Sequence, residues 1–114
     1  MAREAGRADG GIGAVVEFAG IVRRDEDGAS ISALHYEAYE AMAKTEMERI
    51  VGELAARFSC QAVEVVHRIG RVPVGEASIT VRIEAKHRAE AFSLLTEFMN
   101  RLKQDVPIWK KVGE

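Results

Sequence analysis

Cysteine is almost absent from this chain: Cys60 is the single one in 114 residues. No disulfide framework and no cysteine-rich metal site can be built within the chain. The expected setting is therefore reducing and cytoplasmic, with Cys60 a small apolar filler at a helix–strand junction. Long apolar runs are also missing. Nothing approaches the roughly 20 residues that a membrane helix needs, so no membrane role is expected. The opening "MAREAGRADGG" has no apolar h-region, which excludes a signal peptide and makes residues 1–12 a flexible lead-in. Neither sign of charge dominates: 16 Lys and Arg face 18 Asp and Glu, a net charge of -2. A general nucleic-acid binder would show a clear basic excess. No glycine-rich phosphate loop, HExxH or GxSxG occurs, and there is no internal repeat or low-complexity stretch.

What is present fits one domain over residues 1–114, with 47% hydrophobic and 30% charged residues. Residues 13–23, "GAVVEFAGIVR", read as a strand, 24–30 as a polar loop, and 31–39 as a second strand paired with the first in an antiparallel hairpin. From Glu40 the period changes. Ala43, Met47, Ile50, Val51, Leu54, Ala55 and Phe58 mark one face of a helix. Residues 61–70 return to strand character and 71–77 carry turn residues. In 78–85, Ile79, Val81, Ile83 and Ala85 alternate inward against Ser78, Thr80, Arg82 and Glu84 outward. A second helix starts near His87–Arg88, with Ala91, Phe92, Leu95, Phe98, Met99 and Leu102 on its buried face. It must stop before Pro107, and "PIWKKV" makes a short last strand. The expected order is β-β-α-β-β-α-β, an α+β fold with a mainly antiparallel sheet.

The candidate chemistry lies in basic residues at element ends. Arg23 and Arg24 follow the first strand. His87 and Arg88 open the second helix, where unpaired N–H groups and the helix dipole favour anions; Arg88 in that first turn opposes the dipole unless an anion sits there. Lys103 ends the helix, and Lys110 and Lys111 follow Trp109. Two readings of Lys103 and Lys110 stand side by side. They form a basic tail that snorkels over the core, or a reversal at Val106–Pro107 brings both ammonium groups into one cleft. In the second case mutual repulsion and burial would lower a lysine pKa towards a range useful for proton transfer. His35 and His67 lie within strands without partners spaced for a metal, so no metal site is expected. Trp109 reads as a core or interface residue.

"GAVVEFAGIVR", "LHYEAYEAMA", "VVHRIGRVPVGE", "HRAEAF" and "LKQDVPIWKK", in this order and spacing, resemble one family: the large, catalytic subunit of molybdopterin synthase. The resemblance covers roughly residues 11 to 111. It implies an α/β-hammerhead-type fold and a sulfurtransferase that makes the dithiolene of molybdopterin from cyclic pyranopterin monophosphate. Sulfur would arrive as the C-terminal Gly-Gly thiocarboxylate of a small ubiquitin-like carrier subunit. Two large subunits would form a central dimer within a heterotetramer. No cofactor is implied, and the nucleophile arrives on the partner. By the same resemblance Lys103 and Lys110 are catalytic. Arg23, His87, Arg88, Phe18, Met99 and Lys111 bind substrate, with His87–Arg88 donated across the dimer. Two positions depart from the family pattern: Val112 stands where an acidic residue is usual after "WKK", and Ile21 where lysine is common. These departures motivate a second reading, a catalytically idle homologue that still docks the carrier tail. A third reading is a small ligand-binding regulatory module.

Overall fold

A computed structural model describes residues 10–113. Most of the expected lead-in, residues 1–9, lies outside the described residues, and Gly10 to Ile12 adopt neither helix nor strand. In chain order the elements are β1 (Ala14–Ile21), β2 (Asp25–Glu26), β3 (Ala29–Ser30), β4 (Ala33–Ala38), α1 (Glu40–Phe58), β5 (Cys60–His67), β6 (Gly70–Pro73), β7 (Ala77–Ala85), α2 (Arg88–Asp105) and β8 (Ile108–Gly113). Among the described residues every strand pairing is antiparallel, so the α+β class with an antiparallel sheet holds.

The strands divide between two three-stranded sheets, ordered β1-β7-β5 and β6-β4-β8, with β2–β3 as a separate hairpin. This corrects the expected pairing of residues 13–23 with 31–39. β1 pairs with β7, Val16 opposite Ile83 and Phe18 opposite Val81. β4 pairs instead with β6 and β8. The reason is packing: β1 offers Val16 and Phe18 to the large core, whereas Leu34 of β4 belongs to a separate cluster with Val22 and Val72. The expected strand 61–70 also divides. β5 ends at His67, Gly70 takes φ +91, and the chain crosses into the second sheet as β6, a backbone state that glycine adopts without steric cost.

Both helices cover the first sheet. Ala43, Ile50 and Leu54 of α1 and Ala91, Leu94, Phe98 and Leu102 of α2 meet Ile79, Val81 and Ile83 of β7. Ile50, Ile83, Leu94 and Phe98 have no exposed surface; burying each such side chain contributes about 1.5–3 kcal/mol. Two expectations on burial are corrected. Phe92 is 53% exposed, and Leu94 takes the core position instead. Ser78 and Arg82, expected outward, are buried: the Ser78 hydroxyl donates to the Gly20 carbonyl, and the Arg82 guanidinium is flanked by Glu17 of β1 and Glu84 of its own strand. α1 ends where Ser59 turns left-handed (φ +56) and donates its N–H to the Ala55 carbonyl. α2 ends at Asp105, because Pro107 keeps Val106 out of the helical region. Among the described residues no helix is long and apolar enough to cross a membrane.

Candidate active site

The two sheets meet at a cleft of about 460 Å³. Its walls come from five places that the fold brings together: the end of β1 (Gly20, Ile21), Tyr36 of β4, His67 closing β5, the start of β7 (Ser78, Ile79), and the α2–β8 corner. That corner supplies Met99, Leu102 and Lys103 from the last turns of the helix and Ile108, Trp109 and Lys110 from the returning strand. The reversal is short. The Val106 N–H still bonds the Leu102 carbonyl, and Ile108 N–H already bonds the Val106 carbonyl. Lys103 and Lys110 therefore line one cleft.

The electrostatics of Lys110 differ from expectation. Lys110 Nζ lies 2.8 Å from Glu26 Oε2, and the Glu26 side chain is only 15% exposed. This carboxylate holds the Lys110 pKa above its ordinary value, where mutual lysine repulsion was expected to lower it. Lys110 in turn holds the Glu26 carboxyl below its ordinary range, helped by Arg23. Lys110 is thus fixed as a cation. Glu26 reaches it from the β2–β3 hairpin, whose loop residues Asp27 and Gly28 both have positive φ (53° and 79°), the geometry favoured for a two-residue hairpin connection.

The other residues singled out in the sequence fall in different places. Met99 lines the cleft beside Lys103. Phe18 packs against the large core, with its ring below Gly20 rather than in the lining. Arg23 is exposed between β1 and the hairpin, close enough for its charge to act on Glu26. Lys111 turns to the opposite face of β8 from Lys110, as strand alternation requires, and meets Glu37 at 3.3 Å. Trp109 lies edge-on to Tyr39 at 5.3 Å and donates its indole N–H to Glu37. His87 and Arg88 are exposed at the far end of α2, about 22 Å from Lys103 along the helix axis. His87 is 3.5 Å from Glu90. Within one chain that pair and the cleft lysines do not meet.

Sequence reasoning missed Glu26, Tyr36, Ser78 and His67 as cleft components. For Glu26 a signal existed, since "EDGA" contains the Asp-Gly pair of a tight hairpin. Among the described residues no group of three or more His, Cys, Asp or Glu side chains is arranged to hold a metal ion.

Comparison with known proteins bears on what this cleft does. Proteins named molybdopterin synthase catalytic subunit match 87% of the chain: 37% identity for the Thermoplasma volcanium protein, 43% for that of Pyrococcus abyssi and 41% for that of Taeniopygia guttata. The chain spans 72%, 67% and 64% of those three proteins respectively, but only 29% of the Drosophila grimshawi relative. Among solved structures, molybdopterin synthase from Staphylococcus aureus aligns with a TM-score of 0.84 and 33% identity, over 90% of this chain and 74% of that one. A complex of subunits 1 and 2 of molybdopterin-converting factor from Helicobacter pylori aligns at 0.75 and 31%, over 90% and 67%. The profile of the family described as "MoaE protein" matches residues 2–105, and the chain belongs to that family.

Proposed function

We propose that this chain is a molybdopterin synthase catalytic subunit, a sulfurtransferase acting on cyclic pyranopterin monophosphate. The sulfur comes from the C-terminal thiocarboxylate of a small ubiquitin-like carrier. The observation that carries the reading is the convergence of Lys103 and Lys110 on one cleft in a chain of this family.

The chemistry follows from charge. Substrate phosphate and donor thiocarboxylate are both anions, and both must enter one site. Lys110, held protonated by Glu26, and Lys103 offset that charge and stabilise the negative charge that develops as sulfur attacks the pterin side chain. Apolar neighbours Ile21, Ile79, Met99 and Leu102 limit water and strengthen each electrostatic contact. Arg23, exposed and near enough for its charge to act on Glu26, is the phosphate contact in this reading. His87 and Arg88 are too distant to act in their own chain's cleft, so they serve the cleft of a second copy. A homodimer with one carrier at each cleft gives the heterotetramer. A reducing cytoplasmic setting suits the unpaired thiol of Cys60, which burial keeps protonated by raising its pKa.

The test is reconstitution. Wild type, Lys103→Ala and Lys110→Ala are mixed with thiocarboxylated carrier and cyclic pyranopterin monophosphate, and molybdopterin is read as its fluorescent oxidised derivative. Wild type should form product, and each lysine variant should lose on the order of 100-fold or more in rate. Carrier binding by wild type without product would show an idle homologue.

A further inference from the structure

His67 has no role in the reaction as described above, yet its setting is that of a working base. It closes β5 half-buried, at the wall between the basic cleft and an adjoining apolar hollow of about 380 Å³, and it lines both. Its Nδ1 lies 2.7 Å from the Arg68 carbonyl oxygen. A carbonyl only accepts, so Nδ1 carries the proton and Nε2 of the neutral ring is a bare acceptor. The Arg68 carbonyl engages Nδ1, which leaves Nε2 as the basic nitrogen of the ring. An edge-on contact with Tyr36, centroids 5.0 Å apart and planes at 70°, holds the ring from the other side. Position and tautomer are both fixed by the fold.

The surroundings favour the neutral ring. Burial pushes the imidazole pKa below its ordinary value, outweighing the bond to the Arg68 carbonyl. Titratable and charged neighbours come from four of the elements around it: Tyr36 from β4, Lys103 from α2 and Lys110 from β8 in the cleft, and Glu40 and Lys44 of α1 across the hollow. The β7 lining, Ser78 and Ile79, carries no charge. Lys110 is held protonated by Glu26 and has no lone pair to offer; His67 has one.

We infer that His67 is the proton acceptor of the cleft, and that its Nε2 activates the water that frees sulfur from the carrier. The inference rests on the sulfur-transfer reading. Once the thiocarboxylate sulfur is bonded to a substrate carbon, an acyl thioester joins carrier and pterin. Water oxygen attacks the acyl carbon, forming a C–O bond and giving one proton to Nε2. The acyl C–S bond breaks and the sulfur leaves as a thiolate on the pterin. The carrier is left as a carboxylic acid, which loses its proton to solvent. Water is the co-reactant and nothing is oxidised or reduced.

His67→Asn tests this. The Asn amide can still donate to the Arg68 carbonyl but has no second basic nitrogen. With carrier binding unchanged, product formation should fall about 100-fold or more, the range for loss of a general base. The acid limb of the wild-type pH–rate profile should vanish, and a carrier–pterin adduct should accumulate in the mass spectrum of the reaction. Wild-type product with a His67→Asn rate and pH profile within twofold of it overturns this inference alone. No product from wild type overturns the sulfur-transfer reading and this inference with it. The ring nitrogens of His67, read by 15N NMR of the wild-type protein, give a check independent of turnover and of how the variant folds. Protonated Nδ1 and bare Nε2 at neutral pH are expected, and the reverse tautomer overturns the assignment.

Discussion

Lys110 is anchored by Glu26, 2.8 Å from Nζ to Oε2, so a hairpin outside both three-stranded sheets fixes the head of a cleft lysine. Glu26→Gln keeps the hydrogen-bonding shape and removes the charge. Lys110 should then titrate at lower pH, and the alkaline limb of the sulfur-transfer profile should move down with it. Lysine Nζ signals followed by NMR titration read the same change without turnover. The sign of the stability effect follows from the two shifts. Glu26 is lowered from 4.5, so its contribution is present above that pH and is lost as pH falls through the folded value. Lys110 is raised from 10.5, so its contribution is present below that pH and is lost as pH rises through the folded value. Wild type and Glu26→Gln should therefore differ in stability near neutrality and converge at both extremes.

The separation of Arg88 from Lys103 along α2 makes a prediction about subunit exchange. If the His87–Arg88 pair serves a second copy's cleft, Arg88→Ala and Lys103→Ala damage different chains of the same site. Each variant alone should be nearly inactive. After subunit exchange of an equimolar mixture, half of the dimers are mixed, and each mixed dimer holds one intact cleft. About a quarter of the wild-type rate should return, as two-fold symmetry of the interface dictates. Recovery that stays at the level of the separate variants would place Arg88 outside the site.

Residues with strong periodicity were legible in the sequence, and residues placed by long-range pairing were not. α1 and α2 announce themselves through their 3.6-residue apolar spacing, and Pro107 marks the stop of α2. The inward set of β7 follows from alternation. Alternation alone could not show that Arg82 is buried, because its cover is Glu17 from a strand distant in sequence. Nor could it choose a partner for β1: chain proximity favours β4, and only the match of Val16 and Phe18 to the large core selects β7. The cleft was half legible. Lys103 and Lys110 flank a readable reversal. The Asp-Gly pair after Glu26 marks a hairpin but not what the hairpin meets, and His67 carries no local pattern at all; each gains its role from a strand that returns from elsewhere in the chain.

The exchange of Phe92 for Leu94 in the core separates two phenylalanines on one helix. Phe98 is fully buried and Phe92 is 53% exposed. Phe98→Ala should cost about 3–5 kcal/mol of unfolding free energy, through lost burial and the cavity left behind. Phe92→Ala should fall within about 0.5 kcal/mol of wild type. Urea denaturation of both variants decides it, and a large loss in Phe92→Ala would mean that this surface is covered in the working assembly.

Two glycines near the site differ in what a methyl group would meet. At Gly20, in the cleft wall, an added Cβ lies 2.9 Å from Ile79 Cγ2; that side chain must move, and Ile79 is itself part of the lining. Overpacking of this kind costs about 1–3 kcal/mol, and in Gly20→Ala it should raise the KM for the pterin as the wall shifts. At Gly28 no atom lies within 4 Å of the added Cβ, but φ is +79. Gly28→Ala therefore costs only backbone strain, about 1–2 kcal/mol, applied to the hairpin that carries Glu26. Its effect should appear in the titration of Lys110 and in the alkaline limb, with pterin KM little changed. Equal effects of both variants on KM would show that the hairpin shapes the pterin pocket directly rather than acting through Lys110.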